Sequence, residues 1–171
     1  QSLPPEQRMS HRDQLLLEVG EEAARLLVGL IVGAGAKTIV ELGTSFGYST
    51  LFLASAAQRT GGRVFTYELA DEKQAYAKEH LAEARLADYV EWRLGDAVVL
   101  LEDQSGPVDF VFIDLWKDLY TPCFEILYPK LADGAIVVAD NMLFPELYRE
   151  DAAAYRRAVR AKPDMEAVLL A

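Results

Sequence analysis

The chain has 171 residues, 51% of them hydrophobic, which is enough for one core and too little for two. Its net charge of −10 disfavours a surface that tracks nucleic-acid phosphates, because such surfaces rely on lysine and arginine. Cys123 is the only cysteine, so no internal disulfide can form and a reducing compartment, the cytoplasm, is expected. The longest apolar stretch, Leu26 to Ala36, is far short of a membrane span and is broken by Gly29, Gly33 and Gly35. Pro4, Pro5 and charges stand where a secretory signal would be apolar.

Residues 1–12 are polar and contain proline, which predicts a flexible arm, with a single domain over 13–171. From Asp13 to Val32 the spacing of Leu15, Leu16, Val19, Ala23, Leu26, Leu27 and Leu30 predicts a helix. Short apolar runs then alternate with amphipathic segments. Strands are predicted at Thr38–Leu42, Arg63–Glu68, Tyr89–Leu94, Val108–Asp114, Ala135–Asp140 and Glu166–Leu170. Helices are predicted at Tyr48–Arg59, Asp71–Ala87, Ala97–Glu102, Asp118–Lys130 and Asp151–Ala161. Such alternation implies right-handed crossovers and an α/β, doubly wound, mostly parallel sheet with helices on both faces.

Two strand ends carry the chemistry. Val108–Ile113 runs into Asp114-Leu115-Trp116-Lys117, and Ala135–Ala139 runs into Asp140-Asn141. Ligands of open α/β sheets sit beyond the carboxyl ends of the strands. Asp114, Asp140 and Asn141 would there offer oxygen donors to a hard divalent cation, with Lys117 beside them as a candidate base. Taken singly, each has a plainer reading: Lys117 as a solvated lysine, Asp114 as a helix cap, Asp140-Asn141 as a turn pair. Their coincidence at successive strand ends favours a site. The first strand leads into Gly43-Thr44-Ser45-Phe46-Gly47, a turn in which glycine lets backbone and ligand approach closely. Its spacing is not G-x-G-x-x-G, which argues against a dinucleotide and against a nicotinamide dehydrogenase. Glu68 ends the second strand, where a carboxylate can accept hydrogen bonds from ribose hydroxyls. His11 and His80 show no metal-ligand spacing, and Cys123, Trp116 and Tyr120 can serve simply as packing residues.

Together Val40–Ser49, Asp114–Tyr120 and Val137–Met142 resemble the class I S-adenosylmethionine-dependent methyltransferases. More narrowly, they are similar to the cation-dependent small-molecule O-methyltransferases, the group that includes catechol and caffeoyl-CoA O-methyltransferases. The glycine turn indicates only the superfamily; Asp-x-x-Lys with Asp-Asn is the more specific element. The resemblance implies a Rossmann-like methyltransferase fold and S-adenosylmethionine as cofactor. It places the methionyl carboxylate near Val19 and Ser49, the amine near Gly43 and Asp114, and the ribose on Glu68. The adenine would lie by Leu69, Asp96, Ala97 and Trp116, and Glu41, Ser45 and Tyr48 complete the implied cofactor set. Asp114, Asp140 and Asn141 are the implied ligands of Mg²⁺, with Mn²⁺ or Ca²⁺ as substitutes, and Lys117 is the implied catalytic base.

The implied acceptor is a small phenol with vicinal hydroxyls, since the amino-terminal region is short for members that bind CoA esters. A homodimer is compatible with the family. The family pattern runs past a segment such as Glu166–Leu170 into one more antiparallel strand, so a sheet lacking that last strand is expected. Two other readings stay open: methylation of a hydroxylated tRNA base, which the charge disfavours, and a non-catalytic module that binds the cofactor.

Overall fold

The computed structural model describes residues 20–143 and 149–170. The predicted arm 1–12, the start of the first predicted helix and Val19 lie outside the described residues. Six helices and five strands follow in order among the described residues: α1 Glu21–Ala34, β1 Thr38–Leu42, α2 Tyr48–Thr60, β2 Arg63–Glu68, α3 Asp71–Glu83, β3 Val90–Leu94, α4 Ala97–Leu100, β4 Val108–Ile113, α5 Lys117–Leu127, β5 Leu131–Ala139 and α6 Arg149–Arg160. All strand pairs are parallel, in the spatial order β3-β2-β1-β4-β5.

The alternation of side chains along each strand splits the core into two layers. From β1 and β4, Ile39, Phe110 and Phe112 point into one layer with Leu27 and Ile31 of α1, Leu53 of α2 and Leu81 of α3. Their neighbours Val40, Leu42, Val111 and Ile113 point into the other, against Phe124 and Leu127 of α5 and Tyr155 and Val159 of α6. Each such fully buried side chain contributes about 1.5–3 kcal/mol relative to exposure. α1 shows how sequence sets an element: Ala24, Leu27 and Ile31 bury one stripe, and Gly35, at φ 67°, stops the helix while its N–H meets the last carbonyls.

Several boundaries differ from expectation. The helix predicted to Ala87 ends at Glu83, because Arg85 turns left-handed at φ 58°. The helix predicted to Lys130 stops at Leu127, and Pro129 follows within a tight 3₁₀ turn. β5 begins at Leu131 rather than Ala135, continuing through a bulge at Gly134, whose φ is 77°. The predicted strand Glu166–Leu170 is not a strand: these residues find no ladder partner among the described residues, and Val168 and Leu170 are exposed. An apolar run becomes a strand only where a neighbour supplies the other half of its hydrogen bonds.

At the base of the sheet, one carboxylate oxygen of Asp109, in β4, accepts from both Lys37 N and Thr38 N at 2.8 Å. It thereby fixes the start of β1 against β4. Asp109→Ala is expected to lower unfolding stability by about 1–3 kcal/mol, since two main-chain donors lose their acceptor; a urea titration measures it.

Candidate active site

The strand order reverses between β1 and β4, and the crevice above that switch point is the usual ligand position in such sheets. Gly43 leaves β1 there at φ 101°, and a Cβ on it would lie 2.2 Å from the main-chain oxygen of Asp114. Only glycine allows this approach. Gly43 N and Thr44 N both donate to Tyr67 O, at 3.0 and 3.1 Å, which holds the turn against β2. Gly47 opens α2 at φ 85°, and a Cβ there would meet that of Ala77 at 2.7 Å. Ser45 sits between them at φ 47°, a conformation that costs a non-glycine residue about 1 kcal/mol or more.

The turn is fastened by carboxylates. Ser45 N donates to Glu68 Oε2 at 2.7 Å, while Leu69 N and Ala70 N donate to Glu68 Oε1 at 3.0 and 2.9 Å. Glu68 thus joins the tip of β2 to the glycine turn with acceptor capacity left over. Glu41 lies one layer deeper and is wholly buried. Ser49 donates to its Oε1 at 2.6 Å, and Thr50 and Thr66 donate to its Oε2 at 2.7 and 2.6 Å. With the Thr66 proton so engaged, Thr44 is the donor in the 2.5 Å contact between their hydroxyls. Burial pushes the Glu41 carboxyl up to about 7, against the pull of the three hydroxyls, and the nearby Asp114 raises it further.

On the other side of the crevice, the tips of β4 and β5 bring the expected acids together. Burial, then the charge of Asp140, pushes Asp114 up to about 6. Asn141 stands at φ 54° and donates from Nδ2 to Asp140 Oδ2 at 2.9 Å. Lys117, the first residue of α5, is buried at 5% exposure. Its burial holds the amine below the usual lysine range, while Asp114 and Asp140 pull the other way. Lys117 Nζ donates to Tyr120 OH at 2.5 Å, and Tyr120 OH donates to Asp140 O at 3.1 Å.

The donor set fits a hard cation: Asp114, whose affinity for positive charge is raised by burial and then by Asp140, with that second carboxylate and an amide alongside. No group of three His, Cys, Asp or Glu residues forms a metal cluster among the described residues, so any cation would rest on two acids, Asn141 and ligands from outside the chain. The expected ligands Asp114, Asp140 and Asn141 thus stand together at the tips of β4 and β5.

Other predicted cofactor residues are placed less centrally. Tyr48 packs its ring 5.3 Å from that of Phe52, and Leu69 is exposed. Asp96 caps α4 by accepting from Val98 N at 2.9 Å, Ala97 is buried behind it, and Trp116 is half-buried at the start of α5. Cys123 is buried, its thiol pushed up to about 12, as a packing residue would be. A cavity of about 310 Å³ opens elsewhere, over Phe65, Tyr67, Arg93 and Gln104, and touches none of the predicted site residues. The hydroxyls of Thr44, Thr50, Thr66 and Tyr120 were not predicted to take part. Tyr120 carried a usable signal, since it follows Lys117 by one helical turn.

A family profile described as O-methyltransferase matches residues 6–169. The chain belongs to the O-methyltransferase family. A catechol O-methyltransferase of Niastella koreensis is 38% identical over 112 residues, covering 63% of this chain and 50% of that protein. A probable O-methyltransferase of Mycobacterium tuberculosis is 31% identical over 169 residues, covering 92% of this chain and 70% of that one. The chain thus spans half the length of the Niastella relative. Among solved structures, an O-methyltransferase of Bacillus cereus in complex with SAH superposes with a TM-score of 0.80 at 27% identity, over 92% of this chain and 77% of that one. TomG of Streptomyces achromogenes, in complex with SAM, gives 0.80 at 29% identity, over 93% and 78%. The five-stranded parallel order and its helical layers are therefore the fold of solved O-methyltransferases.

The Glu41 carboxyl binds its proton more tightly folded than unfolded, between the ordinary value of 4.5 and about 7. Its ionisation therefore opposes folding, so the stability this carboxyl contributes when protonated is present below the ordinary value and declines as pH rises through that window. Glu41→Gln should lack the decline: compared by thermal unfolding, the variant gains on the native chain between pH 5 and pH 8.

Proposed function

We propose that this chain is an S-adenosylmethionine-dependent O-methyltransferase that places a methyl group on one hydroxyl of a small catechol-like acceptor, assisted by a divalent cation. The observation that carries the reading is the junction of the Gly43 turn with Asp114, with buried Lys117 between the acids of β4 and β5. The family membership supports methyl transfer to oxygen, and the catechol O-methyltransferase among the relatives supports a phenolic acceptor.

In this reading the residues divide the work. Glu68 takes the ribose hydroxyls, the glycine turn and Ser49 take the methionyl end, and Leu69, Asp96, Ala97 and Trp116 border the adenine. Asp114, Asp140 and Asn141 would hold the cation, Mg²⁺ in first place, whose chemistry would be Lewis-acid polarisation of a phenolic oxygen. Lys117, kept toward its neutral form by burial, removes the phenolic proton. The remaining contribution would be position: S-adenosylmethionine would supply the methyl group, and the residues named above would hold it beside the acceptor hydroxyl whose proton Lys117 takes. Among the described residues no helix is long and apolar enough to cross a membrane, and a cytoplasmic setting agrees with a lone buried thiol.

Labelled methyl transfer from S-adenosylmethionine to a catechol panel with Mg²⁺ or Mn²⁺ tests the reading. Transfer is expected to stop with chelator and after joint replacement of Asp114 and Asp140 by Asn; chelator-resistant activity would overturn the cation's part. Lys117→Ala should lower kcat by about 10²–10⁴-fold while cofactor affinity holds. Transfer to tRNA with none to any phenol would favour the nucleic-acid reading instead. Cation affinity should rise with pH by up to about tenfold per unit until Asp114 is ionised, near pH 6, then level off; metal titration at fixed ionic strength measures it.

A further inference from the structure

Tyr120 is wholly buried on α5, one turn beyond Lys117, and its hydroxyl lies between Lys117 Nζ at 2.5 Å and the Asp140 carbonyl at 3.1 Å. We infer that Tyr120 is a positioning residue that aims the Lys117 amine, and the inference rests on Lys117 being the base proposed above. A carbonyl oxygen can only accept, so the phenolic proton points at Asp140. Toward Lys117 the phenol is then an acceptor alone, and the amine must turn an N–H to it.

A neutral amine has two N–H bonds and one lone pair in tetrahedral array. Fixing one N–H on Tyr120 excludes the lone pair from that direction. The aromatic face excludes more, since Nζ lies 4.1 Å from the ring centroid. The lone pair is thereby held off the α5 side, free for a proton arriving from the crevice.

The aim is stiff because Tyr120 is braced. Its ring meets Tyr155 of α6 edge-on at 5.5 Å, and Tyr155 meets Phe124 in the same way at 5.7 Å. The phenol also keeps its proton, because the Asp140 carbonyl to which it donates accepts a hydrogen bond and not the proton itself. In turnover the Lys117 lone pair takes the acceptor's hydroxyl proton and becomes an ammonium, while Tyr120 keeps its own proton throughout.

Tyr120→Phe keeps the ring and removes only the hydroxyl. In the enzyme with its cation, kcat should fall by about 10–100-fold, while KM for cofactor and acceptor stays within about twofold. In a Lys117→Ala background the same change should have no further effect, because a residue acting only through another cannot be lost twice. A second readout needs no activity: in ¹⁵N-lysine-labelled protein, the Nζ resonance missing from Lys117→Arg should shift in Tyr120→Phe and remain in place in Tyr155→Phe. If Tyr120→Phe fails to fold, 3-fluorotyrosine at position 120 weakens the same acceptor at nearly constant volume, and the resonance should shift there too. Additive losses in the double variant, unchanged kcat, or an unmoved resonance would each overturn the positioning role. Absence of methyl transfer in the native protein would instead sink the functional reading, leaving the resonance to decide the placement of the amine.

Discussion

The approach of the Gly43 backbone to the Asp114 carbonyl is the contact on which the site depends. A Cβ on residue 43 would lie 2.2 Å from that oxygen, so the two chain segments can touch only because one lacks a side chain. The contact closes the lower end of the crevice at the switch point and brings the turn against the tip that carries Asp114 and Lys117. Asp114 N donating to Leu42 O at 2.9 Å extends the β1–β4 ladder to that point, so the tip is placed by the sheet and not by a loose loop. Precision of this kind suits in-line transfer, where small displacements of reacting atoms cost rate steeply.

Around this junction the protein tolerates charges in poor solvation. Asp114, Asp140 and Lys117 share a partly dry corner in which burial pushes the acid toward its neutral form and the amine toward its own. The charge of Asp140 adds to the effect of burial on Asp114, and the Lys117 amine opposes it. Glu41 is handled differently: three hydroxyls from α2 and β2 close around it and offset part of its burial, which still pushes the carboxyl up to about 7. One carboxylate set thus stands at the strand tips beside an amine, and Glu41 is a sealed joint between turn, helix and sheet.

The five central strands were legible because each is a short apolar run closed by a turn signal, and a buried parallel sheet demands such runs. The placement of Asp114 and Asp140-Asn141 just beyond β4 and β5, with Lys117 opening α5, was legible because apolar runs end immediately before the two acids. Arg85 was not: nothing in its neighbours signals a left-handed backbone, so the helix before it looked longer than it is. Glu166–Leu170 misled because apolar content indicates what a segment can do once a partner strand is present, and pairing is not a local property. The hydroxyls around Glu41 come from residues 8, 9 and 25 positions away, a spacing that follows only from the fold. Tyr120 was legible as a packing residue and is one; its hydrogen bond with Lys117 lies in a single oxygen that an apolar pattern does not reveal.

Asp109 does no chemistry, yet it governs alignment at the opposite end of the sheet. Its carboxylate holds the N–H groups of Lys37 and Thr38 at the foot of β1, roughly 16 Å below the glycine turn. A slip of β1 by one residue would break both bonds together and turn every side chain of the strand to the wrong layer. The same slip would bring Leu42 or Thr44, each with a Cβ, to the place where the Asp114 carbonyl leaves room for none. Like the zero mark of a ruler, this acid at the foot of the strands determines which residue is read at the top.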